Sequence, residues 1–304
     1  MSPIAAGKAE CVWPAGRLLG EGVWWSAQEQ AVYWVDIKNP AILRHRPGDG
    51  AKDVWPMPEP IGCCVPCADG SLLGAFRSGF YRLQLGAPGT APARSFAAAP
   101  PGHAPGDRFN DGAVHPDGSF WAGTMDDAER DERGHFWRLD PSGRLDHVAG
   151  PYMVCNGPAF SPDGRWAYLT DSAARTIYRL DCAHIGAPPE LFVRFGEADG
   201  YPDGMTTDSE GRLWIAFWDG AKVRCIAADG TLGLELPLPV SRPTRCAFGG
   251  DGLGTLYVSS ASIGLDGLSS VKEPFAGGLF TIDILGARGW PASICTGPTE
   301  IFPR

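Results

Sequence analysis

A hairpin turn followed by an aromatic strand recurs six times along this chain of 304 residues. The strongest copies occupy 115–121, 161–168 and 208–214, where a turn glycine precedes the strand. One marker residue per copy gives successive spacings of 40, 48, 47, 46 and 43 residues; the markers are Tyr33, Leu73, Trp121, Tyr168, Trp214 and Tyr257. A repeat of this length constrains the fold more strongly than any single motif, because every unit must adopt the same local structure.

The repeat is typical of β-propeller blades. Each marker strand is followed by a second apolar segment, as at 80–83, 136–139 and 176–180. Blades built from short strands and tight turns close radially and leave few exposed edges. Helical solenoids of similar period need long 3.6-residue patterns, and the sequence lacks them. We therefore predict an all-β fold, a six-bladed β-propeller with four-stranded antiparallel blades, forming a single domain over 1–304.

Composition agrees with many short strands around a large core. The chain has 41 Gly and 28 Pro, which favour turns, and 44% of its residues are hydrophobic. A net charge of −9 without a stripe of Lys and Arg argues against a nucleic-acid partner. No apolar run is long enough to span a membrane, and residues 1–14 lack a signal-peptide pattern. We expect a cytoplasmic protein without a membrane partner, as a monomer or small homo-oligomer.

The nine cysteines are irregularly spaced, which fits reduced, buried thiols better than a disulfide framework. Cys64 and Cys67 form a C-x-x-C pair. No second pair completes a zinc set, and no strand-to-helix context suggests a redox motif. We therefore interpret residues 61–65 as an apolar strand.

The repeat also aligns a set of positions that could share one chemical role. Counting seven residues back from the turn reaches one position in each unit, namely Glu21, Gly62, Asn110, Asn156, Asp203 and, in the sixth unit, Thr244 or Arg245. Equivalent positions in a closed ring of blades lie at one radius and one height. If the strand before the hairpin is the innermost, these side chains converge on the mouth of the central channel.

Oxygen donors occupy four of the six positions, which favours a divalent cation. Two of the donors are carboxylates and two are amides, the ligands that hard or borderline cations prefer. Glu21 and Asp203 together supply a charge of −2, which would neutralise the ion and make its burial tolerable. A lone Asn-Gly or Asp-Gly pair is usually only a turn, but four donors at one register are better explained by a metal site.

Arg108 is a candidate substrate contact. It precedes Asn110 by two residues, so strand alternation places both side chains on the same side. A cation site repels an arginine unless an anion lies between them, and a guanidinium suits polyhydroxy and carboxylate ligands. An ion pair with Asp107 or Asp111 is the alternative.

The chain resembles the senescence marker protein, gluconolactonase and regucalcin family of six-bladed propellers. The matching segments are spread over about residues 19 to 283 in the expected order: Leu-Gly-Glu-Gly at 19–22, Arg-Phe-Asn-Asp-Gly at 108–112, Trp-Ala-Gly-Thr-Met at 121–125, Asn-Gly at 156–157 and Tyr-Pro-Asp-Gly-Met at 201–205. The resemblance implies a lactonase that acts on an aldonolactone, such as a glucono-, xylono-, arabinono- or galactonolactone, in a sugar-oxidation pathway.

The resemblance also implies roles for the aligned residues. It implies one divalent metal ion held by Glu21, Asn156 and Asp203, with Ca²⁺, Zn²⁺, Mn²⁺ and Fe²⁺ all compatible. Asn110 becomes a further ligand or a substrate contact, and Arg108 binds substrate. One position departs from the family pattern. The acidic substrate contact often found three residues after Gly-Thr-Met is Ala128 here, between Asp127 and Glu129.

These parts suggest a mechanism, as a hypothesis. The metal would polarise the lactone carbonyl as a Lewis acid, and Asp203 would hold or deprotonate the attacking water as the catalytic residue. Arg108 and Asn110 would orient substrate oxygens and steady the developing negative charge. No serine nucleophile is required, and the sequence has neither a G-x-S-x-G elbow nor an H-E-x-x-H pair.

Two alternatives stay open at this point. The same oxygen ligands could serve a non-enzymatic calcium-binding propeller, although Arg108 beside the metal argues against that. The scaffold could instead carry an esterase or organophosphate hydrolase, if the channel mouth were apolar. The aromatic candidates for lining the mouth are Trp24, Trp25, Phe109, Tyr152 and Trp218.

Overall fold

The computed structural model of the protein describes residues 4–296, except for the side chains of 268–270. Within that range the chain forms six antiparallel sheets arranged as the blades of a propeller, which confirms the predicted fold. The described residues include one short α-helix, α1 (Gly267–Lys272), and three short 3₁₀ turns at Cys182–His184, Glu197–Asp199 and Asp251–Leu253. No helix in this part of the chain is both long and apolar enough to cross a bilayer.

Each blade begins with its innermost strand and runs outward, and the innermost strands of neighbouring blades contact one another around the channel. Blade 1 contains β3 (Gly20–Ser26), β4 (Ala31–Asp36), β5 (Ala41–Arg46) and β6 (Ala51–Pro56). Blade 2 contains β7 (Ile61–Pro66), β8 (Leu72–Phe76), β9 (Gly79–Gln84) and β10 (Ala93–Ala98). Blade 3 contains β11 (Asp107–Val114), β12 (Phe120–Asp126), β13 (Gly134–Leu139) and β14 (Leu145–Tyr152).

The second half of the ring follows the same plan. Blade 4 contains β15 (Cys155–Phe160), β16 (Trp166–Asp171), β17 (Thr176–Asp181) and β18 (Glu190–Arg194). Blade 5 contains β19 (Tyr201–Thr207), β20 (Leu213–Trp218), β21 (Lys222–Ile226) and β22 (Leu232–Pro237). Blade 6 contains β23 (Pro243–Gly249), β24 (Thr255–Ser260), β25 (Leu279–Leu285), β1 (Ala5–Ala6) and β2 (Glu10–Trp13).

The N-terminal segment closes the ring. Strands β1 and β2 both pair antiparallel with β25, through Ala5 opposite Leu285 and Glu10 opposite Thr281. The outer part of blade 6 is therefore supplied from the opposite end of the chain, and β25 has partners on both sides. Joining the two ends of the sequence in one blade links the last blade to the first.

The repeated marker residues form the contacts between blades. Six buried hydrophobic clusters occupy the described residues, one at each boundary between neighbouring blades, and each marker lies in a different cluster. At the boundary of blades 6 and 1, for example, the rings of Tyr257 and Trp25 stack with centroids 5.5 Å apart. Burying one such side chain contributes about 1.5–3 kcal/mol, which explains why every unit keeps a large apolar residue there.

The turn of the repeat requires a left-handed backbone. Gly118, Gly164 and Gly211 have φ values of 85°, 71° and 77°, a region that glycine occupies without strain. Asp117 accepts hydrogen bonds from both the backbone N–H and the hydroxyl of Ser119, which fixes the chain direction into β12. These turns lead from the innermost strand of each blade to the second, as the repeat predicts.

The innermost strands all carry an irregularity at the aligned position. The register between the first and second strand shifts at or directly after Glu21, Gly62, Asn110, Asn156, Asp203 and Thr244. A bulge bends its strand and changes the direction of the side chain there, and such bulges are frequent beside active sites. The shared register seen in the sequence is therefore a structural feature of all six blades.

The nine cysteines are free thiols, in agreement with the sequence. Cys64 is buried in β7, and Cys67 is buried just after that strand. Cys67 forms an isolated parallel β-bridge with Cys295, which brings the C-terminal segment against blade 2.

Candidate active site

The five predicted site residues line a single cavity of about 740 Å³ at one end of the channel. They come from the innermost strands of four blades, and none is more than 6% exposed; they are Glu21, Arg108, Asn110, Asn156 and Asp203. The aligned register thus brings together side chains that are far apart in sequence. Whether these residues bind a metal or a substrate is a prediction that their proximity supports.

A continuous row of hydrogen bonds orients the two amides. Arg108 Nη1 donates to Asn110 Oδ1 at 2.5 Å, and Asn110 Nδ2 donates to Asn156 Oδ1 at 2.9 Å. Asn156 Nδ2 in turn donates to the hydroxyl of Ser172 at 2.8 Å, and that hydroxyl donates to the carbonyl oxygen of Pro202. The row runs from blade 3 through blade 4 to blade 5, so each amide has a defined orientation.

Arg108 lies beside Asn110 as predicted, but its ion-pair partner differs from the two carboxylates considered from the sequence. Its Nε donates to Asp127 Oδ1 at 2.5 Å, rather than to Asp107 or Asp111. The reason is the antiparallel pairing of β11 with β12, which brings the end of β12 next to Arg108. Among the described residues, no acceptor takes a hydrogen bond from Arg108 Nη2, so this group is left for a ligand.

Asp127, the acidic neighbour of Ala128, lines the cavity and is held by ion pairs. Three bases surround it: Lys38 Nζ at 2.6 Å, Arg77 Nη2 at 2.7 Å and Arg108 Nε at 2.5 Å. These contacts satisfy its charge and hold it in place. Glu129 also lines the cavity, and no described base pairs with it. The cavity wall near Ala128 thus carries one carboxylate that is fixed by ion pairs and one that has none among the described residues.

The remaining positions of the ring do not add oxygen donors to the cavity. A Cβ atom at Gly62 would lie 2.6 Å from the carbonyl oxygens of Phe109 and Asn110, so only glycine fits there. Thr244 Oγ1 donates instead to the carbonyl oxygen of Gly20 in blade 1.

Below the cavity a buried ion pair crosses the channel. Arg245, in the sixth blade, donates from Nη1 to Asp111 Oδ1 in the third. Asp111 also accepts the backbone N–H groups of Gly112 and Gly157. Of the two aligned residues in the sixth blade, Arg245 therefore pairs with Asp111 at the channel floor, and Thr244 contacts blade 1.

The electrostatics of the site favour a bound cation. Burial and, to a smaller extent, the nearby Asp111 carboxylate together raise the pKa of Glu21 to about 8, against the opposing effects of the Gly22 N–H, Arg245 and Arg108. Burial, with the charges of Glu21 and Asp111, holds the pKa of Asp203 well above its usual range. Carboxylates placed this way are short of positive charge, and a divalent ion would supply it.

The chemistry of the donors fits such an ion. Among the described residues, no three or more His, Cys, Asp and Glu side chains are grouped so as to hold a metal. Glu21 and Asp203 are two carboxylates, and the amide oxygen of Asn156 is the predicted third protein ligand of a metal here. That oxygen accepts one hydrogen bond, from Asn110, and keeps a second lone pair. An all-oxygen set of this kind suits hard and borderline divalent cations.

Most of the aromatic residues considered for the mouth lie elsewhere. Trp24 and Trp25 line a separate cavity farther along the innermost strands, because they follow the bulge rather than precede it. Phe109 is packed against Phe80 in the core, and Tyr152 stacks on Tyr178. The exception is Trp218, which lines the candidate site.

Sequence reasoning missed much of the cavity wall, including four polar residues, namely Ser172, Arg175, Tyr201 and Arg242. Alternation could have found Tyr201, which precedes Asp203 by two residues on β19. The other three lie in or beside loops, where no periodic pattern applies.

Comparison with known proteins identifies related sequences over most of the chain. A family described as the SMP-30/Gluconolactonase/LRE-like region matches residues 19–262. A 6-deoxy-6-sulfogluconolactonase from Pseudomonas putida is 38% identical over 89% of this chain and 93% of its own. An L-arabinolactonase from Azospirillum brasilense is 34% identical over 90% of this chain and 91% of its own.

A solved structure supports the fold independently. The crystal structure of a calcium-binding protein, regucalcin, from Agrobacterium tumefaciens superposes with a TM-score of 0.87 and 24% identity. The superposition covers 94% of this chain and 96% of the other.

Proposed function

The chain belongs to the SMP-30/gluconolactonase/LRE-like family, and from that premise we propose that it hydrolyses an aldonolactone with the help of one divalent metal ion. The observation that carries the proposal is the convergence of Glu21, Asn156 and Asp203 in one polar cavity beside Arg108. A lactone is a cyclic ester, and its hydrolysis needs an activated water and a stabilised carbonyl oxygen.

Glu21, Asn156 and Asp203 would hold the metal, and a bound ion would supply Lewis-acid polarisation of the lactone carbonyl. Asn110 supports this set by donating to Asn156 Oδ1, which keeps the amide oxygen in position. Ser172 accepts a hydrogen bond from Asn156 Nδ2 and so holds the other end of the same amide. Protein groups thus hold the amide of Asn156 in place without help from the ion.

Asp203 is the proposed general base. Its carboxylate would take a proton from the water whose oxygen attacks the carbonyl carbon. The bond between that carbon and the ring oxygen would then break, and the ring oxygen would leave as a hydroxyl with the proton that Asp203 took from the water. Arg108 would bind a substrate oxygen through its free Nη2, with Asn110 beside it. The product is a hydroxy acid that releases one proton at neutral pH.

The relatives point to the substrate class. The Pseudomonas putida protein is named for a sulfonated gluconolactone and the Azospirillum brasilense protein for an arabinonolactone. We therefore propose an aldonolactone substrate in a sugar-oxidation pathway. We also propose a cytoplasmic location, because nine free thiols suit a reducing compartment.

A pH-stat assay tests the proposal. The panel comprises glucono-, xylono-, arabinono- and galactonolactone together with 6-deoxy-6-sulfogluconolactone, and each is assayed before chelation, after chelation and after return of Ca²⁺, Zn²⁺, Mn²⁺ or Fe²⁺. We expect turnover of at least one lactone that chelation abolishes and a metal restores. Turnover that persists after chelation would contradict the proposed metal requirement. Calcium binding without any turnover would favour a binding protein, and turnover of aryl esters alone would favour an esterase.

A further inference from the structure

Four basic side chains line the cavity, and three of them have carboxylate partners. Lys38 and Arg108 both pair with Asp127. Arg242 pairs with Asp219, 2.7 Å from Nε to Oδ1. The fourth base, Arg175, forms no ion pair with any described residue.

The position of Arg175 is well defined despite the missing carboxylate. Its guanidinium carbon lies 4.1 Å from the ring centroid of Tyr201, and its Nε is buried without a hydrogen-bond partner among the described residues. The residue ends the hairpin turn between β16 and β17, where its backbone N–H donates to the carbonyl of Ser172. Its carbonyl oxygen accepts the N–H of Phe195. The Arg175 guanidinium is therefore held at the cavity wall, and its Nε donor has no partner among the described residues.

A second arginine of the same blade shows what an ordinary structural arginine looks like here. Arg179 stacks over Trp166 at 4.2 Å, much as Arg175 stacks over Tyr201. Arg179, however, also pairs with Glu190 at 3.1 Å and lies outside the cavity. Stacking alone is thus compatible with a packing role, and the difference at Arg175 is an unpaired charge that faces the substrate space.

We propose that Arg175 binds an anionic group on the end of the substrate remote from the lactone carbonyl, so that the enzyme prefers aldonolactones with a sulfonate, phosphate or carboxylate at that end. This inference rests on the proposed lactonase function. A planar guanidinium forms paired, charge-assisted hydrogen bonds with such oxyanions. Glu129 also lines the cavity and would repel an anion, but it forms no ion pair with Arg175. Arg175 belongs to blade 4 and stacks on Tyr201 of blade 5, so the anion would lie at the boundary of these two blades.

The test compares specificity in three proteins: the wild type, Arg175→Met and the matched control Arg179→Met. The substrates are neutral gluconolactone and three anionic analogues, namely the 6-sulfonated lactone, 6-phosphogluconolactone and a glucarolactone. The measured quantity is the ratio of kcat/KM for each anionic lactone to that for the neutral one. We expect this ratio to fall about 10- to 100-fold in Arg175→Met and to stay unchanged in Arg179→Met. The three anionic substrates identify which oxyanion is preferred.

An equal effect of Arg175→Met on neutral and anionic lactones would overturn the inference, as would a wild type without preference for any anionic lactone. A binding measurement keeps the inference separate from the lactonase proposal. Calorimetric titration with 6-phosphogluconate and gluconate requires no turnover. We expect the wild type to bind the phosphorylated acid at least about tenfold more tightly and Arg175→Met to lose that difference. Equal binding of both acids by the wild type would overturn the anion site even if lactones are hydrolysed.

Discussion

Asn110 donates a hydrogen bond from Nδ2 to Oδ1 of Asn156 at 2.9 Å, across the boundary between blades 3 and 4. Both amides belong to the ring of aligned positions, and this hydrogen bond couples their orientations. Asn110 uses its oxygen to accept from Arg108 and its nitrogen to orient Asn156. A change at either residue should therefore alter both the proposed metal ligand Asn156 and the proposed substrate contact Arg108.

The first prediction concerns this pair. Asn110→Ala removes the donor that orients Asn156, so metal affinity should fall about 10- to 100-fold even if Asn110 is not itself a ligand. Calorimetric titration of the metal-free protein measures the change. Asn39→Ala, in the turn between β4 and β5, is the control and should bind normally. Unchanged affinity in Asn110→Ala would show that Asn156 is oriented by Ser172 alone.

The second prediction concerns the buried Glu21 carboxyl in the absence of metal. Its pKa is raised from 4.5 to about 8, so between these values the folded protein retains a proton that the unfolded chain releases. The free energy of unfolding must then fall as the pH rises through this window. Glu21→Gln removes that contribution, so the metal-free variant should lose less stability than the wild type between pH 5 and 8.

Thermal unfolding in the presence of a chelator measures the difference. Glu10→Gln, at an exposed position on β2, should follow the wild type. The same Glu21→Gln variant should lose most of the stabilisation that added metal gives the wild type, because one of the two carboxylates is gone. Parallel pH profiles of wild type and Glu21→Gln would show that the carboxyl is not held in an unfavourable environment.

The third prediction concerns the ion pair between Asp111 and Arg245. Both side chains are buried, so removing one partner leaves an unpaired charge in the channel and should cost about 3–5 kcal/mol. Urea unfolding of Asp111→Asn, Arg245→Met and the double variant measures this. The double variant should be more stable than the sum of the single effects predicts. The exposed pair Arg179 and Glu190 is the control, at about 0–1 kcal/mol. Additive single effects would contradict the coupling.

The fourth prediction concerns ring closure. Deleting residues 1–13 removes β1 and β2 and leaves β25 with one neighbouring strand. We expect Tm to fall by at least about 10 °C, because the outer part of blade 6 loses both hydrogen bonds and apolar cover. Deletion of residues 1–3, which lie outside the described range, is the control. A shortened protein with unchanged Tm would contradict the role of the N-terminal segment.

The sequence predicted the fold because its strongest signal is repeated and local. The marker residues recur since each fills the same kind of contact between blades, and Tyr257 against Trp25 is one instance. The turn glycines predict the hairpin that joins the first and second strands of each blade. The candidate site followed from the same periodicity, because the bulged positions of four innermost strands line one cavity.

What escaped prediction depends on contacts between distant segments. Strand β1 is only two alanines long, so no pattern marked it as the closing strand. The pairing of Arg108 with Asp127 depends on the register of β11 against β12. Arg175 lies at a turn, where neither alternation nor the repeat says which way a side chain points. Loop residues can be assigned to a site only when the blades are placed in three dimensions.

The central claim is that a metal held by Glu21, Asn156 and Asp203 supports lactone hydrolysis. Its most direct test measures lactone turnover while metal is returned stepwise to the chelated protein, with bound metal per chain determined in the same samples. We predict that turnover rises in proportion to bound metal and stops rising at one ion per chain, and that Asp203→Asn shows neither the binding nor the turnover. Full turnover in the metal-free protein, or one ion bound by Asp203→Asn with wild-type affinity, would contradict the account.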